Sequence, residues 1–229
     1  MLSKVLVIVI TEDDVLKECY DSILKQDYPD FSTLVSVKKQ ELLSGNSDAN
    51  KLLNIVKHRN EARKKALASD ADYFFWIDSD IVLPVNAISS LLLQLQVPKV
   101  SPIFDKLKSQ FPITEPKQKH IMGGWYKLHS DTEKTAWNCA NWVADNKIAS
   151  VEGWQRSVIR VDKMDLGCVM MSREVLEKIS FKHGFNLEVN DNRRACECLM
   201  FAKDAQDAGY ELFMDGDVVC EHLKREVNV

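Results

Sequence analysis

The first hundred residues of the chain alternate between short apolar runs and longer segments with helical periodicity. This order constrains the fold more than any other feature of the sequence. The apolar runs are rich in β-branched and aromatic residues, as in strands that a parallel sheet buries on both faces. Predicted strands at 3–11, 31–39, 70–78 and 99–104 are separated by predicted helices at 15–26, 51–69 and 87–95. The alternation indicates an α/β fold, an α/β/α sandwich with a mostly parallel central sheet and right-handed crossovers.

Length and composition point to one soluble globular domain. The 229 residues are 45% apolar and 28% charged with a net charge of −4, so no basic excess indicates a nucleic-acid partner. The longest apolar run near the start, 5–10, is too short to cross a bilayer and lacks the features of a signal peptide. We therefore expect a cytoplasmic protein with no membrane anchor in this chain. The six cysteines include no C-x-x-C pair, which favours reduced thiols over a zinc or redox motif.

The third predicted strand runs directly into two carboxylates, Asp78 and Asp80, in "YFFWIDSDIVLP". Ligands of parallel α/β sheets bind beyond the carboxyl ends of the strands, which is where this pair lies. Two carboxylates spaced i, i+2 on a tight turn can face one point, and a divalent cation relieves their mutual repulsion. Oxygen ligands favour Mg²⁺, Mn²⁺ or Ca²⁺, whose open positions can take phosphate oxygens. The alternative is that one of the aspartates only caps the turn.

Five phrases of the sequence together resemble the glycosyltransferases of the GT-A fold, in particular the family-2-like enzymes. The pair "DSD" after a hydrophobic strand resembles the DxD signature of that fold. The other phrases occur in the expected order around it and cover most of the chain outside Asp105 to Glu152. The five are "VLKECYDSILKQDYP" (15–29), "HRNEARKKAL" (58–67), "FFWIDSD" (74–80), "ECLMFAKDAQDAGYEL" (197–212) and "CEH" (220–222). The resemblance implies a single GT-A catalytic domain over residues 1–229.

The resemblance also implies a division of roles along the chain. It gives nucleotide binding and the DxD to residues 1–104, and it gives the acceptor side and the final metal-ligand strand to residues 153–229. Between them, residues 105–152 lose periodicity in a stretch rich in Pro, Gly, Lys and Trp. A long segment of this kind inside a domain is usually functional or mobile. We expect residues 105–152 to form an irregular loop segment.

The resemblance implies a Mn²⁺ or Mg²⁺ site made by Asp78, Asp80 and His222. Asp80 is the expected direct ligand, and Asp78 is expected to bind through water or to contact the ribose. His222, in the last predicted strand, supplies a neutral nitrogen. An ion that bridges the diphosphate stabilises the charge that develops on the leaving group. Taken alone, the polar surroundings of His222 favour a solvent-exposed residue in a tail.

The resemblance also implies contacts to the nucleotide from the helix that precedes the DxD strand. Arg59 and Arg63 are four residues apart and share one helix face, with Asn60 beside them, and arginine suits bidentate contacts to phosphate. The alternative for the two arginines is a solvated basic stripe that continues into the following lysines. The remaining candidates for contacts to the donor are Thr11, which also resembles a helix cap, Ser79 between the aspartates, and Asp165 near a sugar hydroxyl.

Sugar transfer also needs a base that takes the proton of the acceptor hydroxyl. Glu197 matches the first acid of the acidic pair of the family, but Cys198 stands at the second position, which makes Asp191 a rival for the role. An ordinary role for Glu197 is also open, because the helix dipole favours an acid in the first turn. Since a candidate base is present, we expect an inverting reaction.

The predicted function is therefore a metal-dependent glycosyltransferase. It moves a sugar from a nucleoside-diphosphate sugar, with UDP the commonest choice, to a hydroxyl of a glycan or other acceptor. One alternative is a phosphatase of the haloacid-dehalogenase type, which uses a DxD as nucleophile and acid/base but carries it on its first strand. The other alternative is a non-catalytic module that binds sugar nucleotides.

Overall fold

The computed structural model of the chain describes residues 2–11, 14–37, 48–96, 120–128, 136–144, 147–151, 153–189 and 193–224, with backbone alone for 48–52, 185–189 and 193–195. The helices within these ranges are α1 (Lys17–Leu24), α2 (Asp48–Leu67), α3 (Ala87–Gln96), α4 (Arg173–Lys178) and α5 (Glu197–Asp207). The strands are β1 (Val5–Thr11), β2 (Phe31–Val37), β3 (Tyr73–Asp78), β4 (Ile81–Val82), β5 (His120–Trp125), β6 (Cys139–Ala144), β7 (Lys147–Ser150), β8 (Ile159–Val161), β9 (Lys163–Met164), β10 (Cys168–Ser172), β11 (Gly184–Val189), β12 (Arg193–Ala195), β13 (Glu211–Val219) and β14 (Glu221–His222).

A seven-stranded sheet with the order β2-β1-β3-β10-β5-β13-β8 organises the described residues. Strands β2, β1 and β3 are parallel, as the alternation in the first hundred residues predicts. Strand β10 then runs antiparallel to both β3 and β5, β13 is parallel to β5, and β8 is antiparallel to β13. The α/β class is confirmed, and the sheet is mixed because the second half of the chain no longer repeats strand-helix-strand units.

Helices pack on both faces of this sheet. Successive side chains of a strand point to opposite faces, so Ile8 of β1 packs in one apolar cluster together with Ala62 of α2 and Ala202 of α5. Its neighbour Val9 belongs to a second cluster, which includes Ile23 of α1 and further residues of α3. The apolar run of β1 is continuous because both of its faces are covered. The predicted helices of the first hundred residues correspond to α1, α2 and α3, and the predicted strand at 99–104 lies outside the described residues.

The expectation of an irregular loop over residues 105–152 is wrong for the described part of that segment. β5 lies inside the main sheet between β10 and β13, and β6 and β7 form a smaller sheet with β9. The sequence of β5 hides it because Gly123 and Gly124 have low strand propensity. A Cβ at Gly124 would lie 2.7 Å from both Cys168 Sγ and Val218 Cγ1, so tight packing requires a glycine there.

We find no described helix that combines the length and the apolar character needed to cross a membrane.

Candidate metal and nucleotide site

The two aspartates of the DxD lie where β3 leaves the main sheet. Asp78 is the last residue of β3, opposite Ile10 of β1, and its backbone N–H donates to the Gly167 carbonyl at 3.1 Å. The Ser79 side chain is buried, and its carbonyl accepts a hydrogen bond from the N–H of Leu16 at the start of α1 (3.1 Å). The backbone therefore fixes the turn that presents Asp78 and Asp80.

His222 reaches the same turn through a short antiparallel ladder. In this ladder β14 pairs with β4, which places His222 opposite Ile81, and the Leu223 N–H donates to the Asp80 carbonyl at 2.8 Å. His222 Nε2 lies 3.6 Å from Asp80 Oδ2. Its side chain is 18% exposed, so it is not a residue of a solvated tail. The structure brings together His222 and Asp80, two of the three predicted metal ligands, and the third, Asp78, precedes them on the same turn.

The ring of His222 is oriented by its second nitrogen. Nδ1 lies 2.9 Å from the Lys127 carbonyl, which can only accept, so Nδ1 carries the proton and Nε2 faces Asp80. The Asp80 carboxylate raises the pKa of His222 above its usual value, since it is held near the imidazole. A histidine that binds a metal usually donates its other N–H to a carbonyl or carboxylate in this way.

Arg59 links the DxD to the candidate base. Its guanidinium is buried, with the residue only 2% exposed, and Nη2 donates to Asp78 Oδ1 at 3.0 Å. Its Nε lies 3.7 Å from Glu197 Oε1, while the guanidinium carbon lies 5.9 Å from the centre of the Phe181 ring. A buried guanidinium needs opposite charge nearby, and here two carboxylates from different elements supply it. The structure thus joins Arg59, Asp78 and Glu197 in one chain of contacts.

The Asp78 carboxyl has two opposing influences on its pKa. Burial by surrounding atoms raises the pKa above its usual value, although 39% of the side-chain surface contacts solvent, and the neighbouring Asp80 and Asp165 carboxylates act in the same direction. Arg59 opposes them because its charge and its hydrogen bond both favour the ionised carboxylate. The net direction is upward. A carboxylate in this state gains from a cation, which is the electrostatic condition for a metal site.

Gly167 and Tyr126 form the wall beside Asp78. A Cβ at Gly167 would lie 2.6 Å from Tyr126 Oη and 2.7 Å from Asp78 Oδ2, so both groups approach the glycine closely. The Gly167 N–H donates to Tyr126 Oη at 3.2 Å, and the Tyr126 ring meets the His222 ring edge to face at 5.5 Å between centroids. Burial raises the pKa of Tyr126 well above its usual value. Tyr126 is therefore a neutral hydroxyl that contacts several parts of the site.

Asp165 lies on the Glu197 side of the site. Its Oδ1 pairs with the Lys163 ammonium and lies 3.2 Å from Cys198 Sγ. Cys198 forms a disulfide with Cys196, across the single intervening residue Glu197. The expectation of reduced thiols throughout the chain is therefore wrong for this pair. The absence of a C-x-x-C motif does not exclude a local disulfide, because two cysteines spaced i, i+2 at the start of a helix can also bond to each other.

Asn60 and Arg63 use their donors elsewhere. Asn60 exchanges two hydrogen bonds with the Phe181 backbone (Nδ2 to O at 2.8 Å and N to Oδ1 at 3.1 Å). Arg63 donates to the carbonyls of Leu176 and Glu177, at 2.6 and 2.9 Å. These contacts attach α2 to the end of α4 and to the segment after it, so the structure gives both side chains a structural role that the sequence did not suggest.

The last two predicted residues contribute less to this geometry. Thr11 is buried at the end of β1, where its hydroxyl donates to the Asp14 carbonyl at 3.3 Å. This hydrogen bond closes a local turn before α1, and the N-cap of that helix is Leu16. Asp191, the rival base, lies outside the described residues. Among the described residues, Glu197 is thus the candidate base whose surroundings can be stated.

No family model and no curated protein matches this sequence. Solved structures that match include the crystal structure of A197 from STIV, with a TM-score of 0.55 and 15% identity over 97% of this chain and 86% of that one. They also include the crystal structure of GalNAc-T7 with UDP, GalNAc and Mn²⁺, with a TM-score of 0.60 and 12% identity over 99% of this chain. The chain has a GT-A glycosyltransferase-like fold. This chain spans 45% of the length of GalNAc-T7, and at these identities the likeness shows the fold alone.

Within this GT-A fold, sequence reasoning missed two features of the site. Tyr126 comes from a stretch without clear periodicity, and only the aromatic pair Trp125-Tyr126 after two glycines marks it as buried. The contact between Arg59 and Glu197 joins α2 to α5, and no local sequence pattern can predict a contact between residues so far apart in the chain. The sequence does contain one indication of a tightly packed site, Gly167, because a glycine there permits the close approach of both Tyr126 and Asp78.

Proposed function

We propose that this chain is a metal-dependent glycosyltransferase that transfers a sugar from a nucleoside-diphosphate sugar, UDP being the first choice, to a hydroxyl of a glycan or other acceptor. The observation that carries the proposal is the meeting of Asp80 with His222 beside Asp78, at the carboxyl end of β3. The GT-A fold supports it, since it is shared with a protein solved with UDP and Mn²⁺. The donor, the acceptor and the inverting course are parts of the proposal.

The ligand types present, two carboxylates and an imidazole, suit a Mn²⁺ or Mg²⁺ ion. Asp78 and Asp80 offer carboxylate oxygens, and His222 offers Nε2, which its Nδ1 hydrogen bond to the Lys127 carbonyl keeps directed at Asp80. Two oxygens and one imidazole nitrogen suit Mn²⁺ in particular, because carboxylates favour Mg²⁺ and Mn²⁺ while imidazole favours transition metals. When bound, the ion supplies positive charge to the leaving diphosphate.

Sugar transfer also requires a general base, which we place at Glu197, the second carboxylate that contacts Arg59. In an inverting transfer the acceptor oxygen attacks the anomeric carbon as the bond to the diphosphate breaks, and a base takes the acceptor proton. We assign that role to Glu197, whose carboxylate is oriented by Arg59 at 3.7 Å. Arg59 also donates a hydrogen bond to Asp78 at 3.0 Å, so it positions both a proposed metal ligand and the proposed base. Asp165 remains the candidate for a hydroxyl of the donor sugar.

Thermal unfolding with nucleotides and Mn²⁺ tests the binding half of the proposal. A ligand at 100 times its Kd stabilises the folded state by about 2.7 kcal/mol, which raises the Tm of a chain of this size by roughly 5–10 °C. We expect this shift for UDP with Mn²⁺ and not with chelator. Asp80→Ala should abolish it, whereas the control Asp207→Ala, on a side chain 68% exposed at the end of α5, should keep it. A shift that survives Asp80→Ala would contradict the metal assignment.

Turnover tests the catalytic half and separates the alternatives. Release of UDP from UDP-sugars in the presence of acceptors should fall by about 10²–10⁴-fold in Glu197→Gln, the range for loss of a general base. Binding without any release would favour the non-catalytic module. Hydrolysis of a generic phosphate ester that is lost in Asp78→Asn would favour the phosphatase, because in that family the first aspartate is the nucleophile.

A further inference from the structure

We infer that Cys196 and Cys198 form a reversible thiol–disulfide site that sets the position of Glu197. The inference rests on the proposed function, because Glu197 is the proposed base. The disulfide joins the residues immediately before and after Glu197, so its ring includes the whole backbone of that residue. Nothing in the proposed transfer reaction uses either sulfur. The site is therefore a place of covalent modification next to the reaction centre.

The bond acts on the first turn of α5. Cys196 is the N-cap of this helix, with extended backbone (φ −70°, ψ 166°), and Glu197 is the first helical residue. The side chain of Cys198 is anchored in the core, as are Phe201 and Ala202 one turn further on. With the disulfide closed, the N-cap is tied to this anchored helix, and the direction of the Glu197 carboxylate follows. With the disulfide open, the N-cap keeps its backbone contacts to the helix and the packing of Cys196 against the apolar cluster, but it loses the covalent tie.

Arg59 lies between Glu197 and the DxD. Glu197 Oε1 lies 3.7 Å from Arg59 Nε, and Arg59 Nη2 donates to Asp78 Oδ1 at 3.0 Å. Arg59 and Glu197 are both buried, so water competes poorly for these contacts. A shift of the first turn of α5 moves the Glu197 carboxylate relative to the Arg59 guanidinium. We therefore expect the disulfide to affect turnover more than the binding of metal and nucleotide.

The surroundings of the two sulfurs suit exchange at Cys196. Cys196 is partly exposed, whereas Cys198 is 5% exposed. A small thiolate reductant attacks Cys196 Sγ and forms a mixed disulfide, and Cys198 leaves as a thiolate that takes a proton from water. A second reductant thiol then releases Cys196 as a thiol. Two reductant thiols become one disulfide, and the protein gains two electrons and two protons.

The product of reduction also has a place in the structure. Cys198 Sγ lies 3.2 Å from Asp165 Oδ1, close enough for the new S–H to donate to that carboxylate. The Lys163 ammonium pairs with the same carboxylate and balances its charge. The reverse reaction with glutathione disulfide as oxidant removes two electrons and two protons from the pair and yields two glutathione thiols. Both states of the site are thus accommodated without an unpaired buried charge.

The four remaining cysteines differ from this pair because all of them are buried. Cys19, Cys139, Cys168 and Cys220 are all buried and belong to no disulfide. The sulfurs of Cys168 and Cys220 lie 3.5 Å apart without a bond, and burial raises the pKa of Cys139 to about 12. Thiolates are the reactive form of cysteine, and these four are shielded from small thiols as well. Exchange under native conditions should therefore be confined to Cys196 and Cys198.

A competing use of the same atoms is a soft-metal site. Asp165, Cys196 and Cys198 each place one ligand atom within 4.8 Å of the others, and two reduced thiols with a carboxylate can hold Zn²⁺. The Lys163 ammonium on Asp165 and the bond between the sulfurs favour the redox use. Zinc binding by the reduced protein is accordingly one of the outcomes of the test.

The test equilibrates the full chain in mixtures of reduced and oxidised glutathione, followed by alkylation and peptide mapping. We expect the peptide with Cys196 and Cys198 to gain two labels at the reduced end and none at the oxidised end, with the four buried cysteines unlabelled. Turnover should be at least about fivefold faster at the oxidised end, the lower limit of typical coupling between linked sites. The Kd for UDP with Mn²⁺ should change much less, because β3 and the ladder between β4 and β14 hold the metal ligands by backbone pairing.

Variants and a second readout make the result decisive. Cys196→Ser and Cys198→Ser should both show the rate of the reduced protein at every glutathione ratio, whereas Cys139→Ala should respond like the wild type. Amide hydrogen exchange in the first turn of α5 should be faster at the reduced end. Equal turnover in both states, a pair that never oxidises, or reduced protein that holds one Zn²⁺ would each overturn the inference. Labelling and exchange that respond while no nucleotide binds in either state would contradict the proposed function alone.

Discussion

Asp80 and His222 are held by backbone pairing, whereas Glu197 and Arg59 are held by side chains that meet between helices. On the metal side, defined here as Asp78, Asp80 and His222, β3 and the ladder between β4 and β14 fix each residue. On the base side, defined as Arg59, Glu197 and the disulfide, one ion pair at 3.7 Å joins α2 to α5. Backbone ladders tolerate substitution of side chains, and side-chain networks do not. We therefore expect the two sides to respond differently to mutation.

The largest effect is expected from Arg59→Met. This change keeps most of the buried stem but leaves the Asp78 and Glu197 carboxylates without the cation between them. Removal of one partner from a buried ion pair typically costs about 3–5 kcal/mol of unfolding free energy. Urea unfolding followed by fluorescence measures the loss, with the exposed Arg156→Met as the control.

The same variant tests whether the two sides are independent. If the backbone alone holds the metal side, folded Arg59→Met still gains stability from UDP with Mn²⁺, although its turnover falls. A nucleotide shift that disappears together with the stability would break the comparison, because the metal side would then depend on Arg59 as well.

His222→Ala should damage the metal side with little cost in stability. The side chain is 18% exposed and contributes one nitrogen to the proposed site, so its loss leaves no buried polar group unpaired. Loss of an outer-shell partner already costs about 10–100-fold in metal affinity, and we expect at least the upper part of that range for a direct ligand. Titration of the nucleotide-induced Tm shift with Mn²⁺ measures it. The exposed His183→Ala is the matched control, and equal Mn²⁺ requirements in the two variants would remove His222 from the site.

Gly167→Ala should affect both sides, because Asp78 belongs to the metal side and contacts Arg59. The new Cβ would lie 2.6 Å from Tyr126 Oη and 2.7 Å from Asp78 Oδ2. Overpacking of this kind costs about 1–3 kcal/mol. Chemical unfolding measures the cost, and Tyr126→Phe in the same chain should recover part of it by removing one of the two clashing oxygens. Full stability in the single variant would mean that the wall beside Asp78 is looser than the structure indicates.

The contrast between the two sides also separates what the sequence could predict from what it could not. The DxD follows β3 of the main sheet, and ligands of such sheets bind beyond the carboxyl ends of the strands, so the order of elements indicates a site there. His222 is implied only by the family resemblance, because it lies in the separate ladder of β4 and β14 and its own polar surroundings favour an exposed tail. Asn60 and Arg63 share a helix with Arg59, yet their donors bind the backbone at 176–181. Only the tertiary arrangement separates those roles. The sequence does not predict β5 for a related reason: neighbours far away in the sequence require its two glycines, Met214 at Gly123 and Val218 at Gly124.

The smallest predicted effect is a pH dependence of the metal side. Asp80 raises the pKa of His222 above the usual 6.5, so the metal-free protein gains stability from the protonated imidazole. That gain is complete below the unfolded pKa and is lost as pH rises through the raised pKa of the folded state. Mn²⁺ requires the neutral imidazole, so its apparent affinity should rise over the same interval and level off above it.

Both trends can be measured on one protein. Unfolding free energy without metal should fall from about pH 6 upward while the Mn²⁺-dependent Tm shift grows, since a single proton on His222 opposes the metal. His222→Gln should flatten both curves in this interval. Asp78, whose pKa is also raised, is present unchanged in His222→Gln, so a slope that is lost in this variant belongs to the imidazole. A Mn²⁺ dependence that keeps its slope in His222→Gln would show that another group is displaced by the metal, and would move the nitrogen ligand away from β14.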